Sequence, residues 1–164
     1  LIEISDQSTQ NKFIITHAGI PEIWSPEKAK DLAEEVSIAL TDNTSKILKT
    51  MWGDRPNSWN ESLAGNDRHR IIINYLTRMR FLGNAASLDL KNTSINPSVG
   101  CKPWFRYKSE SYKKMKQYYV FGHWASLNGQ TNNPHFIGLD TGCVWEGSLT
   151  ALRVDNLEKI SVQY

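Results

Sequence analysis

Two of the four histidines occur at the same kind of position in the chain. His17 follows the apolar run Phe-Ile-Ile-Thr and precedes Ala-Gly, and His123 follows Tyr-Val-Phe-Gly and precedes Trp-Ala-Ser. Each histidine therefore stands where a short β-strand is expected to end at a small residue. A strand fixes the backbone, and the small residue leaves space beside the imidazole for an ion or a phosphate. The alternative is a structural imidazole that is hydrogen-bonded to the backbone.

The elements that must position these histidines can be read from hydrophobic spacing. Residues 1–4 read as a strand already under way, and residues 13–15 as a second, buried strand. Ser25-Pro26 predicts the start of a helix, because Ser caps helices and Pro is favoured at their first position. Its apolar residues recur at helical spacing: Ala29, Leu32, Ala33, Val36 and Leu40.

Two further helices are predicted, and the rest of the chain reads as loops and strands. A short helix spans about 45–51, and a longer one begins at Asn66 or Asp67 and runs to Met79, although its three consecutive Ile could equally form a strand. The Asn-, Ser- and Gly-rich stretch 83–103 predicts a long exposed excursion. The final third predicts short antiparallel strands at 117–121, 136–139, 149–154 and 160–163.

Composition bounds the class of protein. The 164 residues have a formal net charge of +2 and 40% hydrophobic residues, which fits one domain with one core and disfavours a binder of nucleic acid polymers. The two cysteines lie in unrelated contexts, so neither a disulfide framework nor a zinc ribbon is indicated. No apolar run approaches the ~20 residues of a membrane span. We therefore expect no membrane partner and a cytoplasmic location.

Six ordered segments carry a resemblance to a known family. They are His17-Ala18-Gly19, Trp52-Gly53-Asp54-Arg55-Pro56 with Trp59, Thr77-Arg78-Met79-Arg80-Phe81, Lys102-Pro103-Trp104-Phe105, Phe121-Gly122-His123-Trp124-Ala125-Ser126-Leu127 and Leu139-Asp140-Thr141-Gly142-Cys143. Together they resemble the symmetrical diadenosine tetraphosphatases, which belong to the calcineurin-like metallophosphoesterases. The resemblance covers nearly the whole chain.

The resemblance implies an α/β fold, in which a β-sandwich flanked by helices holds two divalent ions such as manganese or cobalt. It implies that His17 and His123 both bind the second ion. The family's opening motifs G-D-x-H-G, G-D-x-x-x-R-G and G-N-H do not occur here. Residues 1–164 are therefore expected to form the C-terminal part of one such domain, with the remaining metal ligands in a missing N-terminal portion. The chain alone is expected to be inactive and poorly folded.

For the intact protein, the resemblance implies hydrolysis of diadenosine tetraphosphate to two ADP. Two cations activate a bridging water and neutralise charge in an in-line displacement. Two alternatives stay open: a non-catalytic remnant of such an enzyme, and a hydrolase similar to the Ser/Thr phosphoprotein phosphatases.

The substrate's negative charge also requires cations from the protein, and guanidinium groups suit phosphoryl oxygens. Asn66-Asp67-Arg68 resembles the Asn-Asp-Arg of the phosphoprotein phosphatases, so Arg68 is the candidate catalytic and phosphate-binding residue. Arg70 and Arg78 are further candidates for substrate binding, and Arg80 competes with them. Arg78 and Arg80 lie two residues apart and cannot share a helix face, so at most one is expected to point into the cleft.

Other polar and aromatic residues receive weaker assignments. Trp104 is a candidate for stacking on an adenine, as are Trp52 and Trp124, although core packing is the commoner fate of Trp. Asp54 and Asp140 are expected to stabilise turns rather than to bind a metal. His69 and His135 lack the strand context and are expected at the surface.

Overall fold

The computed structural model describes residues 1–106 and 116–164, which form a mixed α/β structure. Three helices occupy the first half of the chain: α1 (Pro26–Asp42), α2 (Thr44–Thr50) and α3 (Gly65–Arg78). The strands are β1 (Ile2–Ser5), β2 (Lys12–Thr16), β3 (Phe81–Leu82), β4 (Leu88–Asp89), β5 (Lys102–Pro103), β6 (Gln117–Phe121), β7 (Phe136–Gly138), β8 (Asp140–Thr141), β9 (Ser148–Leu152) and β10 (Lys159–Gln163).

The largest sheet has the strand order β1-β2-β6-β7. β1 pairs antiparallel with β2, whereas β2 pairs parallel with β6, and β6 pairs parallel with β7. In the register of β2 and β6, Thr16 lies opposite Phe121. Both strands therefore end at the same edge of the sheet, and the residues that follow them emerge side by side.

Two smaller antiparallel sheets complete the described strands, with orders β10-β9-β8 and β4-β3-β5. The prediction of antiparallel strands in the final third is thus correct for β9 and β10 and wrong for β6 and β7, which pair in parallel. The short strand β8 was not predicted. The excursion at 83–103 is only partly exposed, since Ala86 and Leu88 are buried. The strands of this stretch, β4 and β5, contain only two residues each. Strands this short show no alternation of apolar residues in the sequence, so the stretch was predicted as a loop.

The helix predictions are confirmed, with one correction. The Ser25 hydroxyl accepts a hydrogen bond from the Lys28 amide at 3.1 Å, which caps α1. The strand alternative for the three Ile is wrong, because they lie within α3. The predicted cap is also wrong: the N-cap of α3 is Ala64, which makes no side-chain capping hydrogen bond.

The core lies where α1 and α3 pack against one face of the large sheet. Ile71, Ile72, Ile73, Asn74 and Tyr75 are all buried, so α3 is covered on most of its circumference. Trp24 fills the space beside α3, with its ring edge-on to Tyr75 at 4.9 Å between centroids. Among the described residues, no helix is long and apolar enough to cross a membrane.

Candidate functional site

His17 and His123 meet at the shared edge of β2 and β6. The centroids of their rings lie 5.1 Å apart, with the ring planes tilted by 51°. The two strand exits are joined directly, because the Gly122 amide donates a hydrogen bond to the His17 carbonyl at 2.9 Å. The strand-end positions predicted from the sequence are confirmed.

The residues after His17 are held against the end of α3. The Ala18 amide donates to the Leu76 carbonyl at 2.8 Å, and Ala18 is only 1% exposed. A Cβ atom at Gly19 would lie 2.5 Å from the Trp104 ring and 2.9 Å from the Met79 side chain. The His-Ala-Gly sequence therefore matches the space that the core leaves beside the strand exit.

The backbone of His123 is constrained more tightly. Its φ is 63°, a left-handed conformation that is uncommon for a residue with a Cβ. The guanidinium of Arg80 donates from Nη2 to the His123 carbonyl at 3.1 Å, which secures this turn. Strained backbone of this kind clusters at functional sites.

The imidazole of His123 is suited to metal binding rather than to carrying charge. Burial, with added repulsion from Arg80 and His17, lowers its pKa to about 4, so the ring is neutral at pH 7. The ring makes a hydrogen bond to the backbone of Arg78. Its Nε2 atom is buried and makes no hydrogen bond with the described residues. With the backbone bond made by Nδ1, Nε2 carries a free lone pair.

Donor chemistry and donor number give different answers about a metal centre. Two neutral imidazoles suit divalent ions such as manganese, cobalt or zinc. However, in residues 1–106 and 116–164 no group of three or more His, Cys, Asp or Glu side chains is arranged to hold a metal. The pair therefore fits part of a coordination shell.

The side chains of the predicted phosphate-binding residues Arg68, Arg70 and Arg78 are engaged by other parts of the protein. Arg68 makes a bidentate ion pair with Glu35 of α1, with Nε and Nη2 at 2.7 and 2.9 Å from the carboxylate oxygens. Its guanidinium also lies 4.8 Å from the centroid of the Trp59 ring. Arg68 is in the first turn of α3, whereas Leu76 near the other end contacts the His17 loop, and eight residues of helix span ~12 Å.

Arg70 and Arg78 hold the loop before α3. Arg70 donates to the carbonyls of Thr50 and Arg55 at 2.8 and 2.9 Å. Arg78 donates to the Gly53 carbonyl and to the Asp54 carboxylate, at 3.1 and 3.0 Å. Asp54 thereby stabilises this loop through an ion pair with Arg78, whereas the sequence suggested an Asx turn.

Trp104 requires a correction. Its side chain is fully buried and packs against aromatic rings of the core, including Phe121 and Phe136 at 5.2 and 5.4 Å between centroids. A ring with no exposed surface cannot stack on a nucleotide without disrupting the core, so the predicted role in base stacking is wrong. Trp124, 2% exposed, is likewise buried, whereas Trp52 is 67% exposed.

The remaining candidates behave as structural residues. The Asp140 carboxylate accepts a hydrogen bond from the Gly142 amide at 3.2 Å, as in the predicted turn. Nδ1 of His135 lies 2.9 Å from the Gln117 carbonyl oxygen. His69 lies 3.7 Å from the Glu35 carboxylate. Neither of these two histidines is fully exposed, so the expectation of surface positions is correct only in part.

Two cavities flank the histidine pair. An apolar one of about 320 Å³ lies between His17 and the three helices. A polar one of about 540 Å³ is lined by His123, Arg80, Asp140 and Trp145, among other residues. From the sequence, Arg80 was predicted only as a competitor of the other arginines for the phosphate, and Trp145 had no predicted role in binding. The signal for Arg80 is its place in the Thr-Arg-Met-Arg-Phe segment, and the signal for Trp145 is its turn-like context near Gly, which places an aromatic ring at a loop.

The mixed α/β fold, with three helices and an imidazole pair at a sheet edge, is consistent with a phosphoesterase-like protein. No family model matches the chain. The chain is 46% identical over 151 residues to a protein of Marinomonas sp. named symmetrical bis(5'-nucleosyl)-tetraphosphatase, covering 90% of this chain and 54% of that protein. Proteins with the same name from Pseudomonas fluorescens and Legionella pneumophila are 43% and 38% identical, over 93% and 95% of this chain.

These similarities confirm the resemblance predicted from the motifs: the chain is homologous to proteins named symmetrical bis(5'-nucleosyl)-tetraphosphatases along most of its length. The chain spans about half the length of the curated relatives it matches, with 53% and 57% of the Pseudomonas and Legionella proteins covered.

Proposed function

We propose that this chain forms part of an enzyme that hydrolyses a dinucleoside tetraphosphate symmetrically, adding one water to diadenosine tetraphosphate to give two ADP. The observation that carries the proposal is the His17 and His123 pair at one sheet edge, in a chain homologous to proteins that carry this activity in their name. The relatives' name favours this function over a phosphoprotein phosphatase or a non-catalytic remnant.

The proposed architecture is a calcineurin-like β-sandwich in which residues 1–164 form the C-terminal part of one domain. Exposed apolar side chains on two strands of the described chain support an additional layer. Ile2 and Ile4 of β1 are 61% and 40% exposed, and Val162 of β10 is 66% exposed. In the proposal, sequence corresponding to the unmatched length of the relatives supplies the rest of the sandwich.

The proposed metal ligands in this chain are His17 and His123, and carboxylates from the unmatched length complete a centre of two divalent ions. When bound, such ions supply an activated water and neutralise phosphoryl charge. The chain's own contribution is preorganisation. The bond from Gly122 to His17 fixes the strand exits, and Arg80 holds the carbonyl of His123. The His123 ring is neutral at pH 7, and its Nε2 makes no hydrogen bond with the described residues.

Arg68 is left out of the phosphate site in this proposal. Its guanidinium is already occupied by Glu35 and Trp59, at the other end of α3 from the histidines. Arg80 replaces it, since it lines the same cavity as His123. No fixed role in substrate binding is assigned to Arg70 or Arg78, because both are engaged in holding the loop before α3.

The test is a fusion of this chain to the part of the Marinomonas relative that it does not match. The fused protein is assayed for products from diadenosine tetraphosphate, with manganese and after chelation. We expect ADP as the only product and loss of turnover on chelation. Release of AMP with ATP would reject symmetrical cleavage.

Matched variants separate the site from the fold. His17→Ala and His123→Ala in the fused protein should each lower bound manganese and turnover together, while His69→Gln should change neither. Circular dichroism and cooperative melting check that each variant is folded. Full turnover and full metal content in both alanine variants would reject the two histidines as ligands.

A further inference from the structure

The polar cavity beside His123 has the properties of a binding site for a small ligand. Its volume of about 540 Å³ lies within the range of small-molecule sites, roughly 300–1,000 Å³. Its lining combines a cation (Arg80), an anion (Asp140), hydroxyl groups (Thr93 and Ser126) and an aromatic ring (Trp145). This set of groups can recognise a ligand that carries negative charge, hydroxyls and a flat ring.

Arg80 has unused hydrogen-bonding capacity at this cavity. Within the described residues, its one side-chain hydrogen bond runs from Nη2 to the His123 carbonyl. Its Nε is buried and has no partner there. A guanidinium carries five N–H donors, and leaving such donors unpaired in a buried place is unfavourable. An unpaired buried donor in a native structure requires an explanation, and a bound ligand, ion or water is one.

The loop that carries Trp145 is built to present its ring outward. Trp145 is 76% exposed, and its amide donates to the Gly142 carbonyl at 2.8 Å. The loop needs two glycines: Gly142 has a φ of 75°, and a Cβ at Gly147 would lie 2.2 Å from the Thr141 carbonyl. The backbone is therefore tightly specified around a side chain that contributes little to the core.

The lining of the cavity carries charge of both signs, from Arg80 and Asp140. Asp140 attracts Arg80 but would repel a phosphate placed beside its own carboxylate. One Asp140 oxygen accepts the Gly142 amide, and a carboxylate can accept further hydrogen bonds from hydroxyl groups. A phosphate is therefore expected to contact Arg80 rather than Asp140, whose carboxylate suits the hydroxyl groups of a sugar.

We propose that this cavity binds one nucleoside 5'-phosphate arm of the substrate. Arg80 contacts the phosphate, Asp140 accepts hydrogen bonds from the ribose hydroxyls, and the Trp145 ring stacks on the base. Arg80 and Trp145 would then be specificity-determining residues that position the polyphosphate beside the histidine pair. The choice of ligand rests on the proposed function, but its test is binding and needs no hydrolysis.

An exposed tryptophan alone would not justify this assignment, since scattered exposed apolar side chains are ordinary. Trp52 offers the comparison. It is 67% exposed and lies 6.0 Å from the Arg78 guanidinium, but Arg78 already bonds to Asp54, Asn74 and the Gly53 carbonyl. What distinguishes Trp145 is the cavity that it shares with an incompletely bonded arginine. Trp52 is therefore the matched control.

The experiment measures binding of AMP, adenosine and ribose 5-phosphate to the full chain by calorimetry, with EDTA present. Stacking of one base contributes ~1–3 kcal/mol, which corresponds to about fivefold or more in affinity. Trp145→Ala should weaken AMP at least fivefold and leave ribose 5-phosphate within twofold. Trp52→Ala should leave both ligands within twofold.

The arginine variants test the contact with the phosphate. Arg80→Gln should weaken AMP and ribose 5-phosphate at least fivefold and leave adenosine within twofold, while Arg80→Lys should recover part of the loss. Circular dichroism checks that both variants are folded. Absence of saturable AMP binding by the unmodified chain at millimolar concentrations would overturn the inference. Equal AMP affinity in Trp145→Ala and Trp52→Ala would also overturn it.

Failure of this inference can be told apart from failure of the proposed function. In the fused protein, Trp145→Ala should raise KM for the dinucleotide at least fivefold with little change in kcat. An unchanged KM for Trp145→Ala in an active enzyme would reject the nucleotide site and leave the proposed function standing. Binding of AMP that depends on Trp145, in a fused protein that hydrolyses no dinucleotide, would support the site and reject the proposed reaction.

Discussion

The rings of His17 and His123 lie 5.1 Å apart between centroids, although 106 positions (123 − 17) separate the two residues in the chain. The parallel pairing of β2 with β6 is the cause, because it places the carboxyl ends of both strands at one sheet edge. The hydrogen bond from the Gly122 amide to the His17 carbonyl then fixes the two exits relative to each other. The site geometry is therefore a consequence of sheet topology.

Protonation of His123 should make the chain less stable in acid. The pKa of this ring is about 4 in the folded state, lowered by burial, Arg80 and His17, and its ordinary value is 6.5. Because the unfolded state binds the proton more readily, the free energy of unfolding should fall as the pH drops from about 6.5 to 4. The loss is on the order of 1–3 kcal/mol, including a discount for partial exposure.

Urea denaturation in EDTA between pH 4 and 7 measures this effect, and a His123→Gln variant provides the control. The variant should lose less stability than the unmodified chain over the same range. A histidine NMR titration gives the pKa of His123 directly. Arg80 lowers this pKa and Asp140 raises it, so the pKa should fall further in Asp140→Asn. A His123 titration midpoint near 6.5 would reject the neutral, buried ring.

Arg68→Ala should weaken the fold. Arg68 joins α3 to α1 through a bidentate ion pair with Glu35 and contacts the Trp59 ring. Partly buried pairs of this geometry, with a cation–π contact, contribute ~1–2 kcal/mol. Urea denaturation measures the loss, and a double-mutant cycle with Glu35→Gln isolates the pair.

Arg153→Ala is the matched control for Arg68, because Arg153 forms an ion pair with Asp155 at 2.8 Å in which both side chains are at least half exposed. Its effect should stay within ~0.5 kcal/mol. Equal stability of the Arg68 and Arg153 variants would contradict the proposed role of the pair with Glu35.

Local signals were sufficient to predict the helices. Ser25-Pro26 fixed the start of α1 because capping and the proline ring act within one turn of chain. The cap of α3 was missed because α3 begins at Gly65 and its N-cap is Ala64, whose side chain has no group that could form a capping hydrogen bond. Parallel pairing of β6 and β7 was missed because strand direction is set by long-range packing, which residue alternation does not report.

The same distinction applies to the candidate site. The two histidines were predicted because a strand followed by a small residue is a local pattern. Arg68 was assigned by analogy with a short motif, but the partner that occupies it, Glu35, lies on another helix. Trp104 and Trp145 have opposite exposures, 0% and 76%, because tertiary packing decides which ring is covered.

Trp104→Ala and Trp145→Ala should therefore differ sharply in stability. Removal of the buried Trp104 ring leaves a cavity among Phe121, Phe136 and Gly19, at a cost of ~3–5 kcal/mol. Trp145→Ala should change stability by less than ~0.5 kcal/mol, since the ring lies in solvent. Thermal melts compare the two variants, and similar melting temperatures would contradict the core position of Trp104.

The 164-residue chain should bind manganese weakly and with fewer than two ions per chain. Two neutral imidazoles supply part of one coordination shell, and in the described ranges 1–106 and 116–164 no third His, Cys, Asp or Glu joins a group that could hold a metal. Without carboxylates, nothing offsets the repulsion between two dications.

Calorimetry on the purified chain, with EPR of free manganese as a second measurement, gives the stoichiometry and affinity. His17→Ala and His123→Ala should each remove the weak binding. His69→Gln should retain it, because His69 lies on α3 beside Glu35 of α1. Tight binding of two ions per chain would mean that these residues already contain a complete centre, and the proposed contribution of ligands from the unmatched length would then be wrong.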